Sequence, residues 1–146
     1  MTDISRRFEQ FVKSANKNLA VQGILLPVKT EKGIIVGDVL IVNEHNLKHV
    51  YYRDKAYKEI YLNAAAIKIA TLLALKKNTI AVDEIYAADQ EYGRWFVDNQ
   101  YLLALHRKSR EKGDFDRCDV LWARYQESRD RAQAAKSKVN RLIDQR

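Results

Sequence analysis

In the last third of the chain, Lys112-Gly113-Asp114 separates two helix-length stretches, residues 79–112 and 114–143. A glycine can adopt the left-handed conformation that ends one helix, and an aspartate after it can cap the next helix. The chain therefore has to reverse within about three residues. We expect a long antiparallel helical hairpin whose arms each reach about 45 Å, at about 1.5 Å per residue. Arms of this length usually pack against something else.

Both arms carry a repeat with alternating spacings of three and four residues, which is typical of coiled coils. We call the line along which the arms contact each other the seam. The first arm contributes Val82, Ile85, Tyr92, Phe96, Leu103 and His106, with Asp89 and Asn99 in the same frame. The second arm contributes Phe115, Cys118, Trp122, Tyr125, Ala132, Val139 and Ile143, with Arg129 and Lys136 interrupting. The sequence therefore predicts a seam with several polar interruptions.

The residues before the hairpin predict an α+β body. The spacing of apolar residues predicts an amphipathic helix over 3–20, and β-branched runs predict an antiparallel meander of about four strands. These strands cover residues 24–28, 34–42, 47–53 and 56–61, and Pro27 places the first at an edge because it cannot donate to a ladder. The alanine- and leucine-rich residues 63–77 predict a buried central helix that covers one face of the sheet.

The domain organisation follows from what separates these segments. The chain has no internal repeat, no low-complexity tract and no linker rich in serine or proline. We therefore predict a single α+β domain over residues 1–146, with a body at 1–78 and the helical hairpin at 79–146.

Composition limits the classes of function. Hydrophobic residues make up 47% of the 146 residues, enough for a real core. The chain lacks a membrane-length apolar run, and Asp3, Arg6, Arg7 and Glu9 interrupt any signal-peptide stretch, so we expect an intracellular protein without a membrane partner. The lone cysteine, Cys118, excludes an internal disulfide.

The net charge of +7 is the one global indication of a nucleic-acid partner. Basic residues outnumber acidic ones by ten to seven in residues 1–60, by eight to six in 61–112 and by eight to six in 113–146. A dedicated nucleic-acid arm would normally concentrate its charge in one block. The even distribution therefore favours other functions.

The sequence carries no catalytic motif. Its five glycines lie in no phosphate-binding spacing, no serine lies in a GxSxG motif, and acidic Asp116 and Asp119 flank Cys118, which we interpret as a packing residue. We predict that the protein is not an enzyme and uses no cofactor. A pocket that gathers Asp89, Asn99 and His106 would contradict this prediction.

Two patterns could suggest a metal, and we predict none. His45 and His49 have the spacing of helical ligands, but their surroundings are those of a turn and a strand, where they would lie about 13 Å apart. Residues 114–119 open like a calcium loop, but the glycine and the glutamate that such a loop needs are missing. Helix capping explains these carboxylates better.

Aromatic and basic residues supply the remaining candidates. Tyr51, Tyr52, Tyr57 and Tyr61 could form a sheet surface that stacks bases, or alternate between the core and the outer face, which strand geometry favours. The candidate protein interface consists of aromatic residues partly off the seam: Tyr86, Trp95, Tyr101 and Tyr125. The candidate nucleic-acid contacts are the basic residues Arg53, Lys55, Lys58, Arg129, Lys136 and Arg141.

Three segments carry a resemblance: residues 57–68 (YKEIYLNAAAIK), 88–98 (ADQEYGRWFVD) and 121–125 (LWARY). They are similar to segments of small proteins of marine tailed bacteriophages, of the myovirus type, that infect cyanobacteria. The resemblance spans most of the chain and brings no catalytic motif. It implies a phage-encoded virion or assembly component, or an early factor directed at the host, in the host cytoplasm during assembly or in the virion.

These observations favour a non-enzymatic structural or interaction protein that self-associates, or docks on another phage structural protein, through its hairpin. The alternative is a basic nucleic-acid-binding accessory protein that uses the arginines and lysines of the hairpin and the tyrosines of the sheet. The two hypotheses differ in one observable property, because nucleic-acid affinity falls steeply with salt.

Overall fold

The computed structural model describes residues 10, 13–15, 17, 25–45, 47–75 and 79–144. Residues 10, 13–15 and 17 are helical, as predicted for 3–20, and the rest of that predicted helix lies outside the described residues. The chain divides into two compact units, Met1–Tyr86 and Ala87–Arg146. The sequence placed the boundary between body and hairpin after residue 78, whereas this division falls at Tyr86.

The first unit contains a five-stranded antiparallel sheet in which each strand pairs with the next along the chain. The strands are Val28–Lys29 (β1), Ile34–Val36 (β2), Val39–Glu44 (β3), Leu47–Tyr52 (β4) and Lys55–Ile60 (β5). The predicted meander is therefore confirmed, and its strand count is corrected from about four to five.

The extra strand arises because the run over 34–42 is not one strand. Gly37 has a φ of 58°, and with Asp38 it forms a two-residue turn that folds β2 back onto β3. A glycine at the first central position suits such a hairpin turn. The predicted first strand, 24–28, is also corrected, because β1 holds only Val28–Lys29 and begins directly after Pro27, whose nitrogen cannot donate.

A helix, Asn63–Ala74 (α1), contacts β2, β3, β4 and β5 and covers one face of the sheet, as predicted. Ile41 lies opposite Val50 on that face. The buried residues of the helix are Ala65, Ala66, Ile69, Ala70 and Leu72. Small alanines let the helix lie close to the β-branched residues of the strands. The end predicted for this helix, residues 76 and 77, lies outside the described residues.

Two long helices follow, Thr79–Glu111 (α2) and Phe115–Asp144 (α3). Gly113 has a φ of 74°, and its amide donates to the carbonyl of Arg110 at 3.1 Å. The amide of Asp114 donates to the carbonyl of Ser109 at 3.0 Å. These two bonds form the glycine-terminated motif that ends many helices.

The next helix starts at once, because an Asp114 carboxylate oxygen accepts a hydrogen bond from the amide of Arg117 at 3.2 Å. An aspartate side chain that satisfies a free amide of the first turn is a favoured helix cap. The turn predicted at Lys112-Gly113-Asp114 is therefore confirmed within the second unit, and so is the capping role of Asp114.

Three hydrogen bonds from side chains to carbonyls define the register of the hairpin. The amide of Asn99 donates to the carbonyl of Tyr125 at 3.2 Å, and the hydroxyl of Ser128 donates to the carbonyl of Trp95 at 3.2 Å. The thiol of Cys118 lies 3.9 Å from the carbonyl of His106. Side chains this short reach the opposite backbone only where the two helices approach closely.

The observed seam differs from the predicted one at alternate positions. The first arm lines the seam with Ala88, Tyr92, Trp95, Asn99, Leu102, His106 and Ser109, all buried or half-buried; Asp89, which the predicted seam includes, is buried as well. The second arm lines the seam with Cys118, Leu121, Tyr125, Ser128, Ala132, Ala135 and Val139, and the predicted Ile143 is half-buried at its end. In α3 the shift replaces Trp122, Arg129 and Lys136 by the residues before them, so no charged side chain interrupts the seam. Phe96 is likewise replaced by Trp95.

Candidate functional site

The corrected seam leaves large apolar side chains on the outside of the hairpin. Phe96 is 39% exposed, Trp122 is 41% exposed and Phe115 is 70% exposed. Leu103 is half-buried. Ala88, Ser128, Ala132 and Ala135 are among the small residues that occupy the seam, so the space between the arms does not need these large groups.

The four residues Phe96, Leu103, Phe115 and Trp122 define a surface that we call the docking face. Phe96, Leu103 and Trp122 each follow a seam residue by one position, and Phe115 shares the seven-residue spacing of Trp122. In an antiparallel pair, the flanks reached by this offset on the two helices lie on the same side. The docking face therefore belongs to both arms.

Ring contacts hold the docking face in place. Trp122 lies 5.2 Å from the ring of His106 on the other arm and 5.1 Å from the ring of Tyr125 on its own arm. The rings of Tyr92 and Phe96 stack at 5.9 Å along α2. Aromatic pairs at these separations attract each other beyond the area that they bury. The exposed side chains of Phe96 and Trp122 are therefore preorganised.

On the opposite flank of the hairpin, the aromatic and charged side chains contact other residues of the hairpin. The guanidinium of Arg131 lies 4.8 Å from the centre of the Trp95 ring, and that of Arg94 lies 5.8 Å from it. Arg131 also pairs with Glu127 at 3.2 Å along α3. Trp95, a predicted interface residue, is thus covered by cations of its own hairpin.

The other predicted interface residues do not form one surface. Tyr101 is 62% exposed and, with Val97, lies on the side of α2 that faces away from the seam. Tyr125 is half-buried in the seam. Tyr86 belongs to the first unit, where the ammonium of Lys58 lies 4.0 Å from its ring centre.

The predicted nucleic-acid contacts do not form one surface either. Lys58 pairs with Asp83 at 3.4 Å and its side chain is largely buried, whereas Arg53 and Lys55 are exposed at the turn between β4 and β5. Arg129, Lys136 and Arg141 are exposed on α3. Neighbouring strand positions put Tyr51 and Tyr52 on opposite faces of the sheet, so the tyrosines do not form one stacking surface.

The residues considered for catalysis are not gathered in a pocket. Asn99 and His106 both lie in the seam, about 10 Å apart along the helix, and Asp89 lies about 15 Å from Asn99. Asp89 is fully buried. Burial raises the pKa of the Tyr92 hydroxyl above its ordinary value, and the negative charge of Asp89 raises it further.

The metal patterns lead to no ligand cluster in the part of the chain that the structure describes. There, no group of three or more His, Cys, Asp or Glu side chains could hold a metal ion. His45 lies in the turn after β3, with a φ of 50°. His49 is in β4, and its ring nitrogens lie 3.9 Å from the carboxylates of Glu44 and Glu59.

Two further observations complete the description of the site. Among the described helices, none combines the length and the apolar character needed to cross a membrane. Comparisons with protein-family models, with curated proteins and with solved structures find no match to this chain.

Proposed function

We propose that this protein is a non-enzymatic interaction protein that docks through the docking face of its hairpin. The observation that carries the proposal is the exposure of Phe96 and Trp122 beside a seam that is complete without them. Grouped aromatic side chains, rigid and partly open to water, are the residues that contribute most to protein interfaces.

The biological setting that we propose is a phage virion or its assembly. The support is the resemblance of residues 57–68, 88–98 and 121–125 to segments of proteins from marine tailed phages. A helical hairpin with an apolar flank can pack against further helices in an assembly. The partner is then either a second copy of this chain or another structural protein.

Light scattering on a size-exclusion column, at several protein concentrations and two salt concentrations, tests whether the protein docks on a second copy. Association driven by apolar surface persists in salt, and the double variant Phe96→Gln/Trp122→Gln should weaken it. The matched control is Val97→Gln/Tyr101→Gln, which removes apolar surface from the outer side of α2. A wild-type protein that associates no better than the docking-face variant would contradict self-docking.

Docking on another structural protein needs a separate test. Capture on the wild-type chain, followed by reconstitution with the purified partner, should give a complex that Phe96→Gln/Trp122→Gln weakens and Val97→Gln/Tyr101→Gln leaves intact. The proposal fails if the docking-face variant matches the wild type in both self-association and partner binding.

The second candidate function is nucleic-acid binding, and one observation favours it. Arg129 and Lys136 are exposed on α3 in line with the exposed Trp122, about 10 and 21 Å from it along the helix, where cations and a stacking ring could follow a single strand. Titration of a labelled oligothymidine tests it. This function predicts an affinity that falls steeply as salt rises, whereas salt-independent or absent binding excludes it.

A further inference from the structure

One side of α3 carries a regular series of residues that neither the seam nor the hairpin turn uses. Phe115, Trp122, Arg129 and Lys136 are spaced seven residues apart, and all four are exposed. A seven-residue spacing drifts by only about 20° around an α-helix. The four side chains therefore form one line about 32 Å long, which we call the stripe.

The order of residues in the stripe is two aromatics followed by two cations. In an isologous dimer, the same surface of both copies is in contact, related by a two-fold axis. When the two helices are antiparallel, the first residue of the series in one copy meets the last residue of the series in the other. Reversed, the stripe places Trp122 against Arg129 and Phe115 against Lys136 of the second copy. Every aromatic ring then meets a cation, and by symmetry each kind of pair occurs twice.

The reverse arrangement is the one that charge favours. A parallel pairing would place Arg129 against Arg129 and Lys136 against Lys136, and like charges at an interface oppose binding. A cation over a tryptophan or phenylalanine ring is attracted by the electrons of the ring, most strongly where water is excluded. The chain already uses this contact, because Arg131 lies 4.8 Å from the Trp95 ring and Lys58 lies 4.0 Å from the Tyr86 ring.

We propose that the partner of the docking face is a second copy of this chain, bound antiparallel along α3 so that each Trp122 stacks on Arg129 of the other copy. This inference rests on the proposed function and names its partner. The two-fold axis then passes midway between Trp122 and Arg129, next to Gln126. Gln126 is exposed and lies on the same side of α3, four residues from Trp122 and three from Arg129.

Sedimentation velocity on the full chain tests the pairing by a swap. Trp122→Arg alone sets two guanidinium groups against each other and should raise the dimer Kd by about tenfold or more. Arg129→Trp alone sets two rings together, which also attract each other, so the test depends on Trp122→Arg and its rescue. The double variant Trp122→Arg/Arg129→Trp restores a ring against a cation and should return the Kd close to the wild-type value. All of these positions are exposed, and circular dichroism checks that the helices persist.

Cross-linking tests the position of the axis independently. Gln126→Cys should form a covalent dimer on mild oxidation, because the two thiols face each other at the axis. Ala134→Cys is the matched control, since it is equally exposed on another side of α3 and should form little.

The outcomes separate this inference from the proposed function. A wild-type protein that stays monomeric at all concentrations overturns the inference, as does a swap variant as weak as Trp122→Arg alone. If the wild type associates and Phe96→Gln/Trp122→Gln weakens it without rescue by the swap, the docking face stands and the antiparallel pairing is wrong. A monomer that binds the labelled oligothymidine, and loses this binding in Trp122→Gln, assigns the stripe to nucleic acid and also overturns the inference.

Discussion

At the scale of single residues, Gly113 holds the reversal between the two arms. Its φ is 74°, and no heavy atom lies within 4 Å of the position that a Cβ would take. A side chain there is therefore opposed by backbone strain alone. We expect Gly113→Ala to lower the free energy of unfolding by about 1–2 kcal/mol. Gly113→Asn should lower it less, because asparagine tolerates the left-handed conformation. Urea denaturation measures both, and equal losses would argue against this explanation.

The hydroxyl of Tyr92 makes the stability of the folded chain depend on pH. Because its pKa is raised in the folded state, the folded chain holds this proton more tightly than the unfolded chain does. The resulting stability is fully present below the ordinary tyrosine pKa of about 10 and is lost as pH rises through the folded value. We expect the wild type to lose more stability than Tyr92→Phe above about pH 10. Parallel losses in thermal denaturation at successive pH values would contradict this.

At the scale of elements, the observed seam predicts different changes in stability for substitutions at two neighbouring positions of α3. Ala135 is buried in the seam, so Ala135→Leu should overpack the close approach of the helices and cost about 1–3 kcal/mol. Lys136 is exposed, so Lys136→Leu should change stability by less than about 0.5 kcal/mol at protein concentrations too low for association. Urea denaturation compares the two variants. The seam predicted from sequence contains Lys136 and not Ala135. A larger loss of stability for Lys136→Leu than for Ala135→Leu would therefore support the predicted seam.

The hairpin also shows which features of an element can be predicted from sequence. The turn at Gly113 was predictable because its chemistry is local: a left-handed glycine is followed by a capping aspartate. The set of seam residues was not predictable, because the predicted and the observed seam share Cys118, Tyr125, Ala132 and Val139. The size of Trp122 favours the predicted set, which is the wrong one. A signal was present, since the alternative frame through Leu121, Ser128 and Ala135 contains no charged residue.

The docking face was missed for the same reason. The size and spacing of Phe96, Phe115 and Trp122 favour the seam, so the sequence does not indicate that they lie on the surface. Close helix packing prefers small side chains, and this pushes large ones to the flank.

In the sheet, the β-branched run over 34–42 concealed the turn at Gly37, because its hydrophobicity continues through both strands.

At the scale of the whole molecule, we propose that the large aromatic residues of the hairpin lie outside its seam and are covered when a second copy docks. The claim concerns Trp122 in particular, which is 41% exposed in the single chain. The chain has two tryptophans, so Trp95→Phe leaves Trp122 as the sole source of tryptophan fluorescence.

The most direct test is acrylamide quenching of Trp122 fluorescence in that variant, measured from dilute to concentrated protein. We predict strong quenching in dilute solution and progressive protection as the concentration rises, while Trp95 in the matched variant Trp122→Phe changes little. Quenching that is strong at every concentration would contradict docking on a second copy. Quenching that is weak even in a sample that sedimentation velocity shows to be monomeric would place Trp122 inside the seam and contradict its position on the docking face.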